Sequence, residues 1–316
     1  MPDIMPIDSA AIEVRNLTKR YGAVTAVDKI SFAVGTGEFF GFLGPNGAGK
    51  TTTIRMLTGV IEADEGIALL KGSGVGSLKA KQMAGVVPEM ANAYVDLSGW
   101  DNLMLMAELY GVSSSEAKER SQALLESLGL IERKDSLVKT YSKGMKQRLI
   151  LGMALVSNPD ILFLDEPTSG LDVQSTRLIK ELLRSLNGGG KTIFLTTHDM
   201  DEANQLCDRV AIINKGKIVA IDAPEKLRMA TSGRHSVEIS FNESVNLESL
   251  AQLPGVKEFE KVGDKYRLYT DNPSELVITL VNYSSAAGLK IVTLNTLAPS
   301  LEDAFVALTG MEARHV

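Results

Sequence analysis

The sequence predicts an α/β domain built on a parallel sheet, carrying a glycine-rich strand-to-helix loop and a helical insert, and followed by a smaller α+β domain. Three observations carry this. An apolar run at 39–43 leads through Gly44-Pro45-Asn46-Gly47-Ala48-Gly49-Lys50-Thr51 into a helical stretch; a second apolar run, 161–164, ends in Asp165 and Glu166; and the runs from 237 onward follow the order β-α-β-β-α-β. Strands alternating with helices imply parallel pairing through crossover helices. The order in the last third is that of the split, ferredoxin-like arrangement.

Taken in order, the apolar runs at 12–14, 30–34, 39–43 and 67–70 are short, rich in Val, Ile and Phe and punctuated by glycine, as strands are. Residues 52–57 begin a helix that Gly59 stops. From about 96 to 137 the pattern turns helical: Leu103, Met106 and Leu109 share a face, Ser113 and Glu116 form a capping box before a helix at 117–128, and Gly129 ends it. Strands return at 161–164, 192–196 and 210–213, so the helical stretch, about 90–140, is an insert within an α/β domain at 11–224. Ala223-Pro224-Glu225 and the small polar residues at 230–236 mark a boundary. Beyond it, strands at 237–241, 256–262, 265–270 and 290–294 combine with helices at 247–253 and 274–287, and Gly263-Asp264 suits a tight hairpin. A last helix, 300–308, is capped by Ser300 and stopped by Gly310, closing a second domain at 236–310.

Composition narrows the function classes. With 316 residues, 44% hydrophobic and 23% charged, the chain suits globular domains with sizeable cores. A net charge of −6 argues against nucleic acid as a partner, because phosphate backbones call for a clustered basic surface. Cys207 is the single cysteine, so no internal disulfide can form, and no cationic start precedes an apolar signal core; a cytoplasmic location is expected. The apolar stretch 149–156 is broken by Ser157, Asn158 and Pro159, far short of the ~20 residues a bilayer-spanning helix needs.

The loop 44–51 is a full match to the pattern that wraps a polyphosphate in backbone N–H groups, with glycines at 44, 47 and 49 exposing the backbone. Lys50 is expected on the β- and γ-phosphates, the Thr51 hydroxyl on Mg²⁺, and Thr52 in the helix whose positive end faces the phosphates. Asp165 is expected to hold Mg²⁺ and Glu166 to polarise a water for attack on the γ-phosphate. His198, directly after an apolar strand, is a candidate γ-phosphate contact, though a histidine there also serves as an ordinary structural residue. His235 and His315 have no metal-ligand spacing, and no transition-metal site is inferred.

Further segments join these in one pattern. Tyr141-Ser142-Lys143-Gly144-Met145-Lys146-Gln147-Arg148, Ser169-Gly170-Leu171-Asp172 and Thr197-His198-Asp199 stand in order around the carboxylate strand, and Tyr21 precedes the loop. In these the chain resembles the ATP-binding cassette (ABC) superfamily of P-loop NTPases over roughly 11–224. The resemblance implies that Tyr21 stacks on adenine, that Ser142 and Gly144 form a second anion cradle, that Asp172 lies in the segment following the catalytic Glu166, and that His198 is a switch. Two such chains would then close head to tail, each ATP lying between one phosphate loop and the other chain's signature segment. Ser142 would otherwise serve as a helix cap.

Glu89 stands where the family usually has a glutamine touching Mg²⁺ or the attacking water, and Lys143 and Met145 replace the usual glycine and glutamine of the signature. This variant typifies exporter ATPases whose membrane subunit is a separate chain, and Pro299-Ser300-Leu301-Glu302-Asp303-Ala304-Phe305 resembles the accessory domain of drug-resistance and polysaccharide or lipid exporters. The expected partners are therefore a second copy and an integral membrane permease, reached from the cytoplasmic face. Met90, Tyr94, Leu97 and Trp100 are either permease contacts or insert core. A non-transport ATPase of the same superfamily, acting on nucleic acid or ribosomes, is the alternative; such proteins carry tandem cassettes or a long coiled coil, and here there is one phosphate loop and no sustained heptads.

Overall fold

The computed structural model describes residues 10–90, 93–230, 235–297 and 299–310. Its first two strands, β1 (Ala10–Tyr21) and β2 (Val24–Gly35), pair antiparallel. Both run well past their apolar runs, 12–14 and 30–34, because ladder pairing carries polar residues such as Arg15, Lys19 and Arg20 along with the buried ones. Next come β3 (Phe39–Leu43), α1 (Lys50–Leu57), β4 (Glu65–Leu70), β5 (Ser73–Gly74), α2 (Leu78–Met83) and β6 (Ala84–Val87). The insert holds α3 (Gly99–Leu109) and α4 (Ser114–Ser127), and α5 (Lys143–Leu155) leads back to β7 (Ile161–Asp165). α6 (Val173–Gly188), β8 (Thr192–Thr197), α7 (Met200–Leu206), β9 (Arg209–Asn214) and β10 (Lys217–Asp222) complete the first unit, Met1–Ala223.

Two sheets share that unit. One is antiparallel, in the order β2-β1-β4-β5; the other runs β10-β9-β3-β8-β7-β6, parallel except for the edge pairing of β10 with β9. β3, β7 and β8 are buried along their whole length, as strands inside a parallel sheet covered on both faces must be. The sheets meet through phenylalanines. Phe32 of β2 stacks on Phe40 of β3 at 5.6 Å and lies 5.9 Å from Phe194 of β8, with Phe42 and Phe163 against the same ring of Phe194. Rings of this size dominate core energetics, and here they fix β3, β7 and β8 relative to one another.

The insert departs from expectation in two ways. Leu103 is buried but Leu109 is exposed; the inward face of α3 is Asn102, Leu103 and Ala107. Ser113 caps α4 through the Glu116 N–H, whereas the Glu116 carboxylate pairs with Arg120 rather than reaching back to close a capping box.

The second unit, Pro224–Val316, begins with α8 (Pro224–Ala230), a helix where a proline-marked break was expected. β11 (His235–Phe241), α9 (Leu247–Ala251), β12 (Glu258–Val262), β13 (Lys265–Thr270), α10 (Pro273–Ala287), β14 (Ile291–Leu297) and α11 (Leu301–Thr309) follow. Its sheet is antiparallel in the order β12-β13-β11-β14, the split βαβ order. Val237, Ile239, Leu268, Leu276 and Leu280 fill its core, and Ser300 with Asp303 closes a capping box on α11. Residues 231–234 of the expected boundary and His315 lie outside the described residues.

Candidate nucleotide site

The C-terminal ends of β3, β8 and β7 lie side by side, with Leu43 paired to Thr197 and Asp165 to Thr196. Residues following each strand therefore converge on one edge, the place where open α/β sheets bind ligands. The loop from β3 needs its glycines. A Cβ on Gly44 would sit 2.4 Å from the Ile213 carbonyl, and Gly49, at φ +111°, would bring one within 2.5 Å of the Ala26 carbonyl. Pro45 is half-buried, Asn46 and Gly47 are exposed and Ala48 is buried, and the Ala48 N–H bonds back to the Pro45 carbonyl. Helix α1 starts at Lys50, two residues earlier than its apolar pattern suggests, which puts Thr51 and Thr52 in its first turn. The free N–H groups and positive dipole end of that turn suit an anion.

Lys50, Glu166 and His198 meet here. The buried Lys50 ammonium donates to the Gly44 carbonyl at 2.6 Å and lies 3.1 Å from Glu166 Oε1, while His198 Nδ1 lies 2.5 Å from Glu166 Oε2. A carboxylate only accepts, so Nδ1 carries the hydrogen of this contact. Glu166 adopts φ +50°, a left-handed conformation uncommon outside glycine, and its N–H donates to the Thr196 carbonyl. Strained backbone of this kind persists where the surroundings over-determine it and clusters at functional sites. Asp165 is buried, and the Thr196 hydroxyl donates to its carboxylate.

The signature residues form a second cluster. Ser142 caps α5, accepting from the Met145 N–H, so the capping role is real. Gly144 is a point of closest approach: a Cβ there would lie 2.0 Å from Ser175 Oγ and 3.2 Å from Asp172 Oδ2. Asp172 itself caps α6, and hydrogen bonds from the Ser175 N–H and hydroxyl hold its carboxyl below the ordinary value. Lys143 Nζ donates to the carbonyls of Ser169 and Gly170, tying the start of α5 to the loop after β7. Glu89 is exposed just beyond β6, and Tyr21 is exposed at the end of β1 with Lys19 Nζ 5.8 Å from its ring centroid.

Three polar residues of this region carried no functional expectation. Thr196, Thr168 and Glu202 form contacts behind the visible motif residues, and the available signal was polarity within buried segments: Thr196-Thr197 ends an apolar strand, and Asp199 with Glu202 has capping-box spacing. In the insert, Leu97, Asp101, Met104, Leu105, Glu108 and Val112 line an open groove of about 670 Å³. Met90 and Tyr94 are exposed and Leu97 and Trp100 half-buried, so the first pair is not insert core.

A family model described as ABC transporter matches residues 27–169. The linearmycin resistance ATP-binding protein of Bacillus subtilis is 37% identical over 310 residues, covering 96% of this chain and 99% of the relative. The chain belongs to the ABC transporter family. The Nod factor export ATP-binding protein I of Burkholderia pseudomallei is 42% identical over 306 residues, covering 96% of this cassette protein and 98% of the relative. Among solved structures, the ATP-binding subunit of an ABC transporter superposes with a TM-score of 0.65 at 30% identity, covering 70% of this chain and 92% of that one. The cassette is thus an ATP-binding subunit of a transporter, an ATPase whose hydrolysis is coupled to transport. Among its described residues, no helix is long and apolar enough to cross a membrane.

Proposed function

We propose that this chain is the ATP-hydrolysing subunit of an exporter, pairing with a second copy around ATP and driving a separate membrane permease from the cytoplasmic side. The observation that carries the catalytic part is the Lys50–Glu166–His198 cluster, with Glu166 strained and buried between a cation and an imidazole. In this arrangement Lys50 bonds its own loop and Glu166. A triphosphate in the loop competes for Lys50 and frees the Glu166 carboxylate to take a proton from the attacking water. His198 holds that carboxylate from the other side through Nδ1, and its Nε2, when it too carries hydrogen, donates to a γ-phosphate oxygen.

The groups offered here, the Thr51 hydroxyl and the Asp165 and Glu89 carboxylates, are hard oxygen donors of the kind magnesium takes. Thr51 and Asp165 would hold Mg²⁺ with Glu89 facing it, and the metal supplies charge neutralisation on the phosphate oxygens. Tyr21 offers a face for adenine. Pairing is argued from Ser142 and Gly144: the capped start of α5 is a second anion cradle on a different element from the phosphate loop. A second copy completes the site, with Asp172 capping the helix at the seam. Residues 11–224 then form the ATPase, with the insert at about 90–140 receiving a permease helix in the Leu97–Val112 groove, and 236–310 form an accessory domain. Export follows from relatives named for linearmycin resistance and Nod factor export.

Replacing Glu166 with Gln is the test. Loss of a general base costs on the order of 10²–10⁴-fold, so phosphate release should fall by about that factor while ATP affinity persists and mass measurement with ATP shows a dimer. Phosphate release at the parent rate, or a monomer at every ATP concentration, would count against the assignment. Copurification of an integral membrane protein from gently solubilised membranes tests the permease.

A further inference from the structure

Glu202 is fully buried on α7, close behind the site, and nothing in the hydrolysis scheme uses it. It occupies the third residue of a helix capped by Asp199, where a capping-box glutamate would reach back to the N-cap N–H. That N–H is taken by the Thr197 hydroxyl at 3.0 Å, and the Glu202 side chain turns the other way, accepting from the Thr168 hydroxyl at 2.7 Å. Among the described residues its second carboxyl oxygen, also buried, finds no hydrogen-bond partner. A carboxyl left half-satisfied in the interior costs stability unless something else keeps it there. Thr168 stands two residues beyond Glu166, and Asp199 immediately follows His198.

We propose that Glu202 is a positioning residue, a buried strut from α7 to the loop after β7 that holds Glu166 and His198 in register. The visible link between the two loops is the His198–Glu166 contact, which is half exposed on the histidine side. The Thr168–Glu202 bond is a second link on the same pair of loops, fully buried at its Glu202 end. Glu202 works as a neutral acid or an amide equally well, because Thr168 needs only an acceptor. The inference rests on the proposed roles of Glu166 and His198.

The experiment compares Glu202→Leu, Glu202→Gln, Thr168→Val and the double variant Glu202→Leu/Thr168→Val in the full chain, with Glu166→Gln as reference. Misplacing reacting groups by a fraction of an ångström lowers turnover steeply, so Glu202→Leu and Thr168→Val should each reduce kcat about tenfold or more with ATP affinity held within about twofold. Glu202→Gln should stay within about twofold of the parent, and the double variant should be no worse than Glu202→Leu alone. Thr168 is half-buried, so its variant tests the strut even if Glu202→Leu fails to fold. Parent-like kcat in Thr168→Val, multiplying losses in the double variant, or a Glu202→Gln as slow as Glu202→Leu would each overturn the strut. A fully active Glu166→Gln would instead overturn the underlying catalytic scheme, whereas an inactive Glu166→Gln beside active strut variants removes the strut alone.

Discussion

Glu166 sits at φ +50° because three groups hold it from different directions: Lys50 and His198 on its carboxylate, and the Thr196 carbonyl on its N–H. The same strands that bury its neighbours also bury Glu202, and burial pushes that carboxyl's pKa up, with the hydrogen bond from Thr168, the nearby Thr197 hydroxyl and the charge of Lys180 partly offsetting and Asp199 adding to the rise. The consequence for stability has a definite sign. A carboxyl whose folded pKa lies above its unfolded value favours the unfolded state as pH rises past the unfolded value, and imposes nothing below it. Glu202→Gln should therefore melt close to the parent at about pH 4 and above it at about pH 7. Equal melting differences at both pH values would mean that the carboxyl titrates as if exposed. Gly144 has no room for a methyl group against Ser175. Gly144→Ala should push the start of α5 away from α6 and cut ATP hydrolysis while leaving nucleotide binding at the phosphate loop intact, checked by titrating a fluorescent ATP analogue alongside phosphate release. The motif residues 44–51, 165 and 166 were legible in sequence because their types are dictated by phosphate chemistry. Thr168 and Glu202 were not, since a buried threonine and a helical glutamate have many ordinary uses.

Elements bounded by glycine and filled with apolar residues were the easiest to place: β3 at 39–43 and β13 at 265–270 match their expected limits. β6 is four residues, Ala-Gly-Val-Val, too short for periodicity to register, and β10 went unplaced although its run 218–221 is apolar throughout. α3 was mis-phased for a different reason. Its inward face contains Asn102, a polar residue that apolar periodicity skips, and that amide accepts from the Tyr94 N–H at 2.8 Å and donates to the carbonyls of Tyr94 and Ser98. Three bonds from one side chain pin the loop that borders the insert groove. Asn102→Leu keeps the branched shape but leaves the Tyr94 N–H without its acceptor, at a cost of about 1–3 kcal/mol, and takes one of two bonds from each of the Tyr94 and Ser98 carbonyls. Basal ATP hydrolysis should persist, and stimulation by the copurified permease should fall severalfold. Unchanged stimulation would separate this loop from coupling.

The motif residues are scattered over some 180 positions between Tyr21 and His198, and the parallel sheet brings the phosphate loop, Asp165, Glu166 and His198 to one edge. Strand order in that sheet is long-range information that no local pattern carries; it became legible because several motifs occurred in one family's order. The second unit was legible as β-α-β-β-α-β from its own runs, and it encloses its own core of Val237, Ile239, Leu268, Leu276 and Leu280, while the first unit has the core built on its phenylalanines. A unit with its own core can unfold on its own. Truncating the fully buried Leu280 to Ala should cost the second unit about 2–5 kcal/mol. For a unit of this size each kcal/mol lowers the melting midpoint by roughly 4–8 °C. ATP, binding the first unit, should raise only that unit's midpoint. Calorimetry should therefore show two transitions, one moved by ATP and not by Leu280→Ala, the other moved by Leu280→Ala and not by ATP. A single transition that answers to both would mean that the two cores melt as one cooperative body, and that substitutions in the second unit reach the ATPase through stability alone.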